Sequence, residues 1–261
     1  MKSTLRLAMA ALTSASVSPF ERWRRHFIEN GDRVRHLPWD DPYRLTVDER
    51  RLVGPSIQQF QLGEWARGRG FRRRASSDPV LAVDPSFLPT LELFIAEEQG
   101  HSAMLGRFLD RERIPRLASE WTDQIFRRLR KLAGLELCVM VLVTAEVLAL
   151  PFYRALRDST RSGLLRAICV RILCDEAAHL HYQALTLGLI RRRRRGRPLF
   201  HSTLFHVTAL LLWQQHWRVF RTAGSDFRRF WTEARREFAR LQQKIQQVSS
   251  GRARFDDLRL D

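Results

Sequence analysis

Two tetrads in this chain have the residue types and spacing of metal chemistry: Glu98-Gln-Gly-His101 and Glu176-Ala-Ala-His179. A spacing of three sets a carboxylate and an imidazole one helical turn apart on one face, so both can reach a single ion. Two further acids stand alone in apolar company: Glu64 follows Phe60-Gln-Leu-Gly63, and Glu146 lies within Val141-Leu-Val-Thr-Ala-Glu-Val-Leu-Ala-Leu150. Burying such a carboxylate uncompensated costs on the order of several kcal/mol, and a divalent cation offsets that cost directly. The order is Glu, Glu-x-x-His, Glu, Glu-x-x-His. Glu64 and Glu146 are 82 residues apart, while Glu98 and Glu176, and His101 and His179, are each 78 apart. Two halves in near register are what a pseudo-two-fold bundle needs if each half supplies one lone Glu and one Glu-x-x-His to a shared two-metal site.

The acids immediately before the motif glutamates, Glu97 and Asp175, are turned by about 100° from the ligand face. From there each can reach the histidine of the neighbouring Glu-x-x-His helix and fix its tautomer. Asp175 is the stronger candidate for that supporting role; a solvated Glu97 is an equal alternative. His181 lies on a different face from Glu176 and is not expected to be a ligand.

The elements that must position these residues read as helices. Gly and Pro are sparse, and the long stretches between them lack the two-residue alternation of half-buried strands. Residues 1–45 read as an irregular N-terminal arm, with Pro38, Asp40, Asp41 and Pro42 as breakers. A helix is expected over 46–71, then a polar loop over 72–83. A second helix starts at Asp84-Pro85 and runs to Arg113, where Pro115 closes it. Ser119 caps a third stretch reaching 156, with a break near Gly134, and a fourth runs over 162–190. Two more, 199–222 and 226–248, complete a single domain spanning 46–248, and residues 249–261 read as a flexible tail. The first four helices (46–190) are expected to form a four-helix metal bundle.

The bulk properties limit the alternatives. Lys+Arg number 45 against 28 Asp+Glu, a formal charge of +17, and nearly all the cations are Arg. Such a composition reads either as an Arg-biased solvated surface or as one that attracts an anionic partner: nucleic acid, an acidic carrier protein or reductase, or a membrane surface. The run Arg191 to Arg195 with Arg197 reads as a basic helix end that complements the helix dipole. It lacks interleaved aromatics, which argues against nucleic acid. Cys138, Cys169 and Cys174 have no CxxC spacing and read as reduced core residues of a cytoplasmic protein. Residues 1–17 resemble a secretion signal only weakly, their apolar run being short and interrupted. Residues 134–153 are apolar enough to span a membrane, but Glu136 and Glu146 make a buried core helix the better reading.

The segments Phe94-Ile-Ala-Glu-Glu-Gln-Gly-His101 and Asp175-Glu-Ala-Ala-His179 resemble the Glu-Glu-x-x-His and Asp-Glu-x-x-His segments of carboxylate-bridged di-iron proteins of the ferritin-like superfamily. They are similar in particular to the soluble acyl-carrier-protein desaturases and the di-iron N-oxygenases. The likeness covers residues 46–190. It implies two iron ions (Fe/Fe, or Mn/Fe) with one histidine to each, Glu98 with Glu176 or Glu146 bridging or capping them, and reduced iron that activates O2. Where several oxygen-activating members carry a Thr one turn after the third-helix Glu, this chain has Ala149 and Leu150. Pro151 follows, freeing the carbonyl of Val147.

The expected function is therefore a di-iron oxidase or oxygenase acting on an apolar, aromatic or carrier-bound substrate with a separate electron donor, as a monomer or homodimer. Its catalytic and metal residues are Glu64, Glu98, His101, Glu146, Glu176 and His179. An iron-handling protein of the ferritin or peroxidase type is the first alternative, although the arm and two extra helices exceed a compact storage subunit. A metal-free helical adaptor using its basic face is the second.

Overall fold

The computed structural model describes residues 18–31, 37–65, 68–118, 134–193 and 198–252, which form eight helices and no strand. These are α1 (Pro19–Gly31), α2 (Val47–Trp65), α3 (Gly68–Ser76), α4 (Phe87–Arg111), α5 (Leu135–Asp158), α6 (Gly163–Arg193), α7 (Pro198–Thr222) and α8 (Phe227–Ser249). Residues 1–17, the Ser119 cap, the basic residues 194–197 and most of the expected tail, from 253, lie outside the described residues.

Two sequence expectations are corrected here. The segment 1–45 is not irregular throughout, because residues 19–31 form α1. Ser18 accepts a hydrogen bond from the Glu21 amide at 3.1 Å, Pro19 occupies the first helical position, and Glu21 stands in the first turn. Phe20, Trp23, Phe27 and Asn30 recur at helical spacing, and all four are buried. The expected polar loop over 72–83 is instead helical as far as Ser76.

α2 opens with a reciprocal cap, the Glu49 amide donating to Thr46 Oγ1 and the Thr46 amide to Glu49 Oε2. α2 pairs with α4, and α5 with α6. The ring of Phe60 on α2 stacks on Phe152 of α5 with centroids 3.7 Å apart, joining the two pairs. α5 is the apolar centre, buried along most of its length, and Pro151 lies inside it without ending it. It is the one helix among the described residues long and apolar enough to cross a membrane, and 83% of its apolar window is buried within the fold. Cys138 and Cys169 are buried, but Cys174 is exposed and so is not a core residue.

α8 lies along α6, where Gly188 allows a close approach. A Cβ at that position would stand 2.5 Å from Cβ of Val248 and 3.1 Å from the carbonyl oxygen of Ile245. Gly188→Ala is therefore expected to push α8 outward and destabilise the protein by about 1–3 kcal/mol. Thermal melting checks this; an unchanged melting temperature would mean that α8 is not held at that distance.

Candidate metal centre

The six side chains expected to converge do so. Glu64 comes from α2, Glu98 and His101 from α4, Glu146 from α5, and Glu176 and His179 from α6. Their ligand atoms fall into two groups, each within 4.8 Å internally: Glu64, Glu98, His101 and Glu176, and Glu98, Glu146 and His179. Glu98 belongs to both. Glu176 also faces both histidines, at 3.8 Å from His101 Nδ1 and 3.7 Å from His179 Nδ1. None of the six is more than 1% exposed.

Each helix is held in register next to its ligand. Gln61 of α2 donates to Ser102 Oγ of α4 at 3.0 Å, and Ser102 donates back to the Gln61 carbonyl at 2.9 Å. Tyr153 of α5 donates to Glu64 at 3.4 Å, and Gln183 of α6 donates to Glu146 at 3.3 Å. Sequence reasoning missed these contacts because they join helices far apart in the chain. His181, not expected to be a ligand, contacts Lys244 of α8 instead.

The acids before the motif glutamates support the histidines crosswise. Nε2 of His101 lies 2.9 Å from Asp175 Oδ2, and Nε2 of His179 lies 2.8 Å from Glu97 Oε2. Asp175 thus occupies the supporting position expected of it. Glu97, for which a solvated role was an equal reading, is drawn inward to the same task. With Nε2–H donating outward, each imidazole turns Nδ1 towards the glutamates, the orientation in which a ring nitrogen is a ligand.

The electrostatics define what would fit. Burial of the His179 ring works against its protonation, but Glu176, Glu97 and Glu98 outweigh it and hold its pKa well above the ordinary value. Burial would also raise the Asp175 pKa, yet His101, Asn30 and Arg171 together hold it below the usual carboxylate range. At the centre, neither oxygen of Glu176 nor Nδ1 of His101 has a hydrogen-bond partner. Buried polar atoms without partners, aimed at one point from several helices, are unfavourable in a protein that holds nothing there. Four carboxylates with two neutral imidazoles match the charge of two divalent cations. The residues present fit a pair of metal ions.

Comparison of the chain with protein-family models, with curated proteins and with solved structures yields no match.

The like charges gathered here make a specific prediction. Glu176→Gln removes one charge without changing shape. It is expected to stabilise the metal-free protein by on the order of 1–3 kcal/mol, since two carboxylates about 4 Å apart repel even at an effective dielectric constant of about 20. The same substitution is expected to reduce the stabilisation gained on adding Mn(II). Melting curves of both proteins with and without the ion test the reversal. Destabilisation of the metal-free form would show that Glu176 is a structural hydrogen-bonding group.

Proposed function

We propose that this chain is a ferritin-like di-iron oxidoreductase that activates O2 to oxidise an apolar, aromatic or carrier-bound organic substrate. The observation that supports this most directly is the convergence of four buried glutamates and two histidines, from four helices, into two overlapping ligand groups that share Glu98. In this reading α2, α4, α5 and α6 are the metal bundle, with iron in both positions or manganese and iron together. Two ferrous ions, when bound, supply the electrons that reduce dioxygen.

The chain's own residues do the rest. Glu64 with His101, and Glu146 with His179, would hold opposite ends of the centre, and Glu98 and Glu176 would lie between them. Asp175 and Glu97 keep a proton on each Nε2, which leaves Nδ1 free to ligate. Phe94, Phe152, Tyr153 and Tyr182, all fully buried, keep water from the surroundings of the ligands. The basic surface attracts an acidic carrier or an electron donor. A metal-free adaptor gives no reason for burying four glutamates together.

The expected outcome is two iron ions per chain, with a new optical absorption when Fe(II) and then air are added. Glu98→Ala and Glu176→Ala proteins should lose metal. O2 uptake should depend on an organic substrate and yield its oxidised product. Uptake without any organic product, from a shell of 12 or 24 subunits, would favour iron handling instead. Failure of the native chain to bind iron would overturn both readings.

A further inference from the structure

One polar contact to the residues around this centre comes from outside the four helices that supply them. Asn30 lies near the C-terminal end of α1 and is 8% exposed. Its amide nitrogen donates to Glu97 Oε1 at 2.6 Å and to Asp175 Oδ1 at 2.8 Å. Those carboxylates use their other oxygens to accept from His179 and His101 respectively. A primary amide has two N–H donors, and here one goes to each carboxylate. A continuous hydrogen-bonded chain therefore runs from His101 through Asp175, Asn30 and Glu97 to His179.

The placement is anchored. Phe27, one turn before Asn30, packs against the rings of His179 and Phe94, at centroid distances of 6.0 and 6.3 Å. At the other end of α1, Thr90 of α4 donates to the Phe20 carbonyl at 2.8 Å. Arg171 of α6 donates to Asp175 at 2.9 Å and to the Asn30 carbonyl at 3.4 Å, fixing α1 and the carboxylate together.

We propose that Asn30 is a positioning residue for both metal-ligand histidines at once, making α1 part of the metal centre. This rests on the two-metal reading above. An isolated Asp–His pair can rotate or take up a second proton; a carboxylate also held by an amide offers the ring one oxygen in one orientation. Because a single amide serves both carboxylates, its loss loosens both, although Arg171 still holds Asp175. An amide that only packed α1 in place would leave the rings undisturbed.

The test is anaerobic Co(II) titration of the full-length native, Asn30→Ala and Asn30→Asp proteins, with proton NMR of the Co(II)-loaded forms. The native protein is expected to bind two Co(II) and to show two exchangeable, paramagnetically shifted imidazole N–H signals. In Asn30→Ala both equivalents should bind more weakly, by roughly ten- to a hundredfold, and both N–H signals should broaden through faster exchange with water. Asn30→Asp has the same shape and keeps the test open should the alanine variant fail to fold. It places a third carboxylate against Glu97 and Asp175 and should weaken both equivalents at least as much. Unchanged affinities and both N–H signals intact in the folded Asn30 variants would overturn the proposal while leaving the two-metal reading standing. No Co(II) bound by the native protein would overturn that reading and this proposal together.

Discussion

Mutual repulsion among buried carboxylates is the constraint on which this structure turns. Glu64, Glu98, Glu146 and Glu176 are each removed from water and aimed at one region. Two unit charges about 4 Å apart interact by about 4 kcal/mol even at an effective dielectric constant of about 20. Net stabilities of whole domains are about 5–15 kcal/mol. A cluster of that kind persists only where cations or protons balance it, and the surrounding helices are placed so that the balance can be made at one spot. The raised pKa of His179 reflects the same demand locally, its glutamate neighbours favouring positive charge on the ring.

Holding such a cluster requires helices that cannot drift apart. α4 and α6 are tied by exchange: the acid preceding the ligand glutamate on each supports the histidine of the other. Glu97 and Glu98, like Asp175 and Glu176, divide the work between adjacent faces of one helix, one inward to the centre and one across to the neighbour. α2 is fixed to α4 through Gln61 and Ser102, and to α5 through Tyr153 and Glu64. The ligands therefore sit on rigid elements, each with a hydrogen bond between helices nearby.

The convergence of these six side chains was legible in the sequence because its signal is short-range. Glu-x-x-His depends only on helical periodicity, and the matched separations of the two halves identified which lone acids belonged with it. The inner contacts were not legible, since nothing local links Gln61 to Ser102 or Gln183 to Glu146. α1 was a different failure. Ser18-Pro-Phe-Glu21 has the spacing of a helix cap, and Phe20, Trp23, Phe27 and Asn30 follow at intervals of three and four. The breakers at Pro38 and Pro42 lie beyond the end of α1 and do not bear on residues 19–31, and the stripe ends in a polar Asn. The polar residue in that stripe is the one that reaches the metal centre. Cys174 erred the other way: its segment is apolar enough to suggest a core, but its own position on α6 faces out.

The two C-terminal helices, which supply none of the clustered side chains, follow from the composition of α5. A bundle helix normally keeps one polar face for solvent. Along Leu135–Asp158 almost every position is apolar, so α6 and Phe60 of α2 cover only part of its circumference. α7 and α8 cover the remainder. His201 of α7 contacts Thr144 of α5 at 3.2 Å and accepts from Gln242 of α8 at 2.9 Å. Burial lowers its pKa to about 3, which keeps the ring neutral for that pairing. Arg154 of α5 meets Glu233 and Glu237 of α8, and Arg191 of α6 meets Glu136 of α5, closing the polar edges. The apolar length that makes α5 resemble a membrane span is thus satisfied by protein. It also leaves Glu146 fully buried, where a carboxylate gains most from a bound cation.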